Sequence, residues 1–189
     1  MSNIRIKTIW FKKEEGARDS DQTASVIAAV IWKIADRTVI NLSKADYDII
    51  TPQRGFTLLA EMIAFMVHLS DRLLYGRVED ARRNALMQAM GNRLAEIMEK
   101  NIHDVVGDDG FDYQTNFLDM LNRRSENYAD FDFPAEQPNF AVRRYLATQI
   151  RDVMEERDQS WVMDQIMEIE VPLALETLKK TIDGLFKQP

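Results

Sequence analysis

The chain has 189 residues, of which 46% are hydrophobic and 29% charged, a composition typical of one globular domain and not of a disordered chain. Its net charge of −7, from 31 acidic and 24 basic residues, disfavours nucleic acid as a partner, since phosphates require a basic surface. The sequence contains no cysteine, which excludes disulfides, thiolate metal sites, iron–sulfur clusters and a cysteine nucleophile.

The sequence also predicts a location and the absence of a membrane segment. The first residues lack the long apolar core and small-residue cleavage site of a signal peptide. The longest uninterrupted apolar run in the most hydrophobic stretch is Met62 to Val67, which is far shorter than a bilayer requires. We therefore predict a cytoplasmic protein with no membrane partner.

The N-terminal 20 residues differ in pattern from the remainder of the chain. The alternation Ile4-Arg5-Ile6-Lys7 predicts a short extended arm, and the charged stretch from Lys12 to Asp19 is typical of a linker. This divides the chain into an arm and linker, residues 1–20, and a helical domain, residues 21–189.

The first predicted helix, from about Asp21 to Asn41, carries two apolar faces. One face holds Val26, Ile27, Val30, Ile31 and Ile34, and the other holds Ala28, Trp32, Ala35 and Val39. Such a helix either lies centrally or is shared between a core and a subunit interface. Together with the extended arm, the second face predicts a homodimer.

The next helix is predicted to be the centre of the fold. Thr51 can cap its start and Pro52 suits its first position. From Phe56 to Gly76 the apolar residues cover nearly every direction around the axis, which is typical of a helix surrounded by others.

Four further segments complete an all-α, single-domain bundle of five or six helices. The third helix is predicted over about 81–105 and ends in the acidic turn Gly107–Gly110, which we interpret as a solvated loop. The fourth is predicted from Asp112 to Tyr128, and the fifth to about Arg157 after a cap at Asn139. The last runs from about Ser160 to Phe186, and Pro172 should kink or split it.

One polar stripe follows the central helix within a sector of about 80° at about 100° per residue; it comprises Thr57, Glu61, His68, Asp71 and Tyr75. Buried charges are costly unless they are paired. Glu61, His68 and Asp71 could bind one metal ion. The other interpretation is a buried polar network in which Arg37 or Arg124 pairs with a carboxylate. Arg124 shares a face with apolar residues of the fourth helix, so we predict an ion pair to the central helix, with Asp71 slightly preferred over Glu61.

Sequence motifs give no specific chemistry. The chain has neither a nucleophile elbow nor a glycine-rich phosphate loop, and no cofactor is predicted. The leading hypothesis is a non-enzymatic interaction or accessory protein that acts as a homodimer or with another protein. The alternative is a helical bundle that binds a metal or small molecule at Glu61, His68, Asp71 and Arg124, either as an enzyme or as a binding protein.

Overall fold

The computed structural model describes residues 20–132, 134 and 137–186, and these residues form helices joined by short connections. The predicted all-α bundle is confirmed. In chain order the helices are α1 (Ser20–Lys44), α2 (Pro52–Leu74), α3 (Asp80–Val106), α4 (Tyr113–Ala129), α5 (Phe140–Arg151), α6 (Gln159–Gln165), a π segment (Ile166–Glu170) and α7 (Val171–Leu185). The predicted N-terminal arm lies outside the described residues, except for Ser20, which begins α1.

Helix α2 occupies the centre of the bundle, as its all-round apolar pattern predicts. It contacts α1, α3, α4, α5 and α7. The Thr51 hydroxyl accepts a hydrogen bond from the Arg54 N–H at 3.3 Å, and Pro52 fills the first helical position. Along the middle of α2 every residue from Leu58 to Ser70 except Ala60 is buried, so its packing supplies the core of the domain.

Both apolar faces of α1 are used inside the monomer. Ala28, Trp32 and Ala35, which belong to the second face, are no more than 5% exposed. The helix packs against α2, α3 and α7, so its two-faced pattern reflects a central position. This face therefore does not provide the subunit surface that the pattern had suggested.

The short connections fix the directions of the helices. A turn of five residues joins α2 to α3 and a turn of six joins α3 to α4, so that α3 runs antiparallel to both neighbours. Helix α4 consequently runs parallel to α2, with Arg124 beside Glu61 and Tyr128 beside Phe65 and His68. No helix in the described part of the chain is long and apolar enough to cross a membrane.

Helix α5 ends at Arg151, earlier than the predicted Arg157. The reason is tertiary: the Asp158 carboxylate accepts the Asp48 N–H at 2.8 Å, and Arg54 Nε donates to the Val153 carbonyl at 3.1 Å. These bonds attach the α5–α6 connection to the connection before α2 and to the first turn of α2. A continued helix would use the Val153 carbonyl internally and would move Asp158 away from Asp48.

Pro172 splits the last helix, as predicted. Five π-helical residues precede α7, and the Val171 N–H donates to the Ile166 carbonyl in the wider π register. In that register a residue at position 172 would donate to Met167, but proline has no N–H. The Met167 carbonyl instead accepts from Arg143 Nη1 on α5 at 3.1 Å, so a side chain supplies the missing donor.

Candidate functional site

The predicted ion pair between Arg124 and the central helix is present, but its partner is Glu61. Arg124 Nε donates to Glu61 Oε2 at 2.7 Å, and Nη2 donates to Oε1 at 2.6 Å. The Glu61 side chain is 7% exposed and that of Arg124 is 21% exposed. This two-bond geometry is the strongest that a guanidinium and a carboxylate make, and it raises the pKa of Arg124 above its usual range.

The slight preference for Asp71 was wrong because of the register of α4 on α2. The two helices run parallel, and the position of Arg124 along α4 places it beside the first half of α2. Asp71 lies ten residues beyond Glu61, about 15 Å along the helix axis. Sequence periodicity shows that both acids share a stripe, but it does not show where along that stripe the neighbouring helix places its charge.

The pair extends into a network that joins three helices. Arg124 Nη1 lies 3.4 Å from the Tyr145 hydroxyl on α5, and Asn127 Nδ2 donates to the same hydroxyl at 2.7 Å. The Tyr145 ring meets the buried Tyr128 ring edge-on, with centroids 5.1 Å apart. Neither Asn127 nor Tyr145 stood out in the sequence as a member of this network, because their meeting depends on the packing of α4 and α5.

His68 lies at the middle of the polar stripe and belongs to an aromatic cluster. Its ring stacks on Tyr128, with centroids 5.3 Å apart and planes 25° apart. Burial is the main cause that lowers its pKa to about 4, the Arg72 charge lowers it further, and Asp71 opposes both. His68 is therefore neutral at physiological pH, where a neutral ring suits a buried stacked position.

Asp71 forms a separate cluster at the far end of α2. It pairs with Arg72, the next residue, and with Arg83 Nη1 of α3 at 2.6 Å. Both arginines also lie over the Tyr75 ring, at 5.6 and 5.2 Å from its centroid.

Arg37 is exposed on α1, and the described ion pairs of Glu61 and Asp71 are with Arg124, Arg72 and Arg83.

The proposed metal cluster of Glu61, His68 and Asp71 does not form. Within the described ranges, no group of three or more histidine, aspartate or glutamate side chains lies close enough to bind one ion. Each carboxylate is instead paired with arginine, so the polar stripe divides into three local environments. This corrects the metal alternative and supports the buried-network interpretation for Glu61 and Arg124.

Beside the Glu61–Arg124 pair lies a half-open groove of about 510 Å³ between α2, α3 and α4. Most of its wall is apolar, and these side chains are Phe56, Ala60, Met98, Ile102, Val106, Phe117 and Met120. The polar residues of the wall are Gln53, Thr57, Glu61, Asp109, Tyr113 and Asn116. We call this the α2–α4 groove.

The acidic turn after α3 contributes one edge of the groove. The Asp109 carboxylate accepts from the Phe111 N–H at 3.0 Å and from the Tyr113 hydroxyl at 2.8 Å, which lowers the pKa of Asp109. Phe111 is 51% exposed and Val106 is 53% exposed. The turn is solvated, as predicted, but no sequence feature indicated that it borders a groove.

The apolar residues of α4 that line the groove differ in burial. Phe117 is buried, but Tyr113 and Met120 are only partly buried because the groove opens between α3 and α4. The one sequence feature that pointed to a groove was weak. Polar residues lie among the apolar residues of the same face of α4, as Asn116 does beside Phe117.

Comparison with known proteins adds no further identification: no protein-family model matches the chain, and neither curated proteins nor solved structures yield a match.

Proposed function

We propose that this protein is a non-enzymatic binding protein that holds a small organic ligand in the α2–α4 groove. The observation that carries the proposal is the groove itself, whose volume of about 510 Å³ falls within the range of about 300–1,000 Å³ that small-molecule sites occupy. An apolar wall with a few polar groups is also the usual composition of such sites.

The polar groups of the groove favour binding over catalysis. Glu61 is held through both oxygens by Arg124, and Asp109 is held by a backbone N–H and a tyrosine hydroxyl. A carboxylate fixed in this way orients a ligand well. Asp109 is poorly suited as a proton carrier, because its partners stabilise its charged form and lower its pKa.

The side chains of the wall can adapt to a ligand. Met98 on α3 and Met120 on α4 are both part of the lining, and methionine fits irregular shapes because its side chain is unbranched and polarisable. Met62, Met66 and Met90, by contrast, do not line the groove and are at most 1% exposed.

The test uses the methionine methyl groups as reporters of binding. Protein labelled with ¹³C at the methionine methyls is titrated with phenylbutanol, an apolar probe with one hydroxyl group. We expect the Met98 and Met120 signals to shift, while Met154, which lies at the α5–α6 connection, stays in place.

A filling substitution gives the matched control. Ala60→Phe places a ring in the groove and should abolish the shifts. Ala89→Phe enlarges another partly buried alanine, on the first half of α3, and should leave them unchanged. Phenylbutanol that shifts no groove methyl, or that binds Ala60→Phe as well as the wild type, would contradict the proposal.

A second candidate function, homodimerisation, is favoured by a different surface. Trp161 on α6, Ile169 in the π segment and Leu173 on α7 are 70%, 47% and 51% exposed. Large apolar side chains that are exposed at several points along consecutive helical segments are typical of a protein interface. Sedimentation at micromolar concentration should show a dimer that Trp161→Ser dissociates; a monomeric wild type would reject this candidate.

A further inference from the structure

We infer that the ligand of the α2–α4 groove is a small organic ammonium ion, an amine or quaternary amine attached to an apolar body. This inference rests on the proposed function and specifies the chemistry of the ligand. It follows from three properties of the wall: its charge, its hydrogen-bonding groups and its aromatic rings.

The charged side chains of the wall are acidic. Among the described residues that line the groove, those with ionised side chains at neutral pH are Glu61 and Asp109. Arg124 balances Glu61 but does not line the groove, whereas the hydrogen-bond donors to Asp109 are an uncharged N–H and an uncharged hydroxyl, and His103, outside the lining, also stabilises its charge electrostatically. The groove with its network therefore carries excess negative charge, which attracts a cation and repels an anion.

The hydroxyl groups of the wall are arranged as acceptors. The Thr57 hydroxyl donates its proton to the Gln53 carbonyl at 2.9 Å, and the Tyr113 hydroxyl donates to Asp109 Oδ2 at 2.8 Å. A hydroxyl has one proton to donate, so each oxygen keeps acceptor capacity for a ligand. An ammonium group, which has donors and no acceptor, complements such a wall.

Aromatic rings supply the third property. Phe56, Tyr113 and Phe117 all line the groove. The faces of aromatic rings attract ammonium groups through their quadrupoles, and such rings recur in sites that bind quaternary amines. Rings and carboxylates in one groove suit a ligand with an apolar body and a positive end.

An anionic ligand fits less well. Arg124 pairs with a carboxylate of the groove wall, and its Nε and Nη2 already bind Glu61. Transferring that guanidinium to a ligand carboxylate would leave Glu61 buried and unpaired, which is strongly unfavourable.

The test compares three probes of similar size and different charge: phenylbutylamine, phenylbutanol and phenylbutyrate. Calorimetric titration at neutral pH should give the amine an affinity about tenfold above that of the alcohol, a difference expected for one charged hydrogen bond in a partly solvated site. Phenylbutyrate should bind more weakly than the alcohol. Added salt should weaken binding of the amine and leave that of the alcohol nearly unchanged.

Two variants locate the effect. Asp109→Asn removes the unbalanced charge and should reduce the preference for amine over alcohol by at least about threefold. Asp108→Asn removes the same charge one residue away, from a side chain that is 76% exposed and does not line the groove. That control should keep the preference.

The outcomes separate this inference from the proposed function. If the alcohol shifts the groove methyls but the amine binds no better, the groove is a ligand site and the ammonium inference is overturned. If phenylbutyrate binds most tightly, the inference is likewise overturned. If neither amine nor alcohol shifts the groove methyls, both the inference and the proposed function fail.

Discussion

Removing the Arg124 guanidinium should be the most informative single perturbation of this protein. In Arg124→Met the Glu61 carboxylate, 7% exposed, would lose both of its charge-assisted hydrogen bonds. Breaking a buried pair in this way costs about 3–5 kcal/mol of unfolding free energy. Because Arg124 is itself 21% exposed and water can enter the groove beside Glu61, we expect the lower end, about 3 kcal/mol.

The double variant distinguishes loss of the pair from loss of packing. Glu61→Leu combined with Arg124→Met removes both charges and keeps apolar volume, so its cost should stay below about 1.5 kcal/mol. Together with the wild type and the two single variants, Arg124→Met and Glu61→Leu, the double variant completes a double-mutant cycle. Urea unfolding followed by circular dichroism measures each free energy, and equal slopes with denaturant show that the unfolded states are comparable.

An exposed pair provides the matched control. Arg93 and Glu96 on α3 lie 2.7 Å apart with side chains 49% and 53% exposed. Arg93→Met with Glu96→Leu should show a coupling of less than about 1 kcal/mol, as exposed pairs do. A change of less than about 0.5 kcal/mol for Arg124→Met, the range of ordinary surface substitutions, would refute a buried pair.

Three further predictions concern other parts of the fold. The unfolded chain protonates His68 near pH 6.5, whereas the folded protein resists protonation until about pH 4; stability should therefore fall as the pH is lowered through this window. His68→Phe should remove about 1–3 kcal/mol of that pH dependence. Urea unfolding of the wild type and the variant at a series of pH values measures the difference, and an equal pH dependence in both proteins would contradict the prediction. Arg143→Ala should lower the free energy of unfolding by about 1–3 kcal/mol, because it leaves the Met167 carbonyl without its donor. The loss should be smaller in a Pro172→Ala background, and equal losses in both backgrounds would refute this account. Asp158→Ala should lower the free energy of unfolding by about 1–3 kcal/mol through loss of the Asp48 N–H bond, whereas Asp152→Ala, at an exposed carboxylate, should change the urea midpoint little.

Local signals predicted the helices well where caps and periodicity agree. The Thr51 and Asn139 side chains cap α2 and α5 as expected, and Asp112 accepts the Thr115 N–H at 2.9 Å at the start of α4. Pro172 interrupts the last helix where its missing N–H requires it. These features depend on residues within one or two turns of each other, so sequence alone contains the information.

Features that depend on how helices meet were predicted less well. Periodicity identified Arg124 as a charge on an inward face and Glu61 as a buried acid, yet it could not choose between Glu61 and Asp71. The end of α5 was missed because Asp158 and Val153 bond to residues near the start of α2. The two apolar faces of α1 left open whether the helix lies centrally or is shared with a subunit interface, because sequence does not show how many neighbours a helix has.

The sequence by itself determined an all-α domain, a central position for α2, and the need for Arg124 to meet a carboxylate. Each follows from hydrophobic period, capping chemistry or the cost of an unpaired buried charge. The tertiary structure alone decided that α4 runs parallel to α2, that Glu61 is the partner, and that a groove opens beside it. The physical reason is that these outcomes depend on how far one helix is shifted along its neighbour and on the gap between the two helices. Connection length and side-chain packing together determine both.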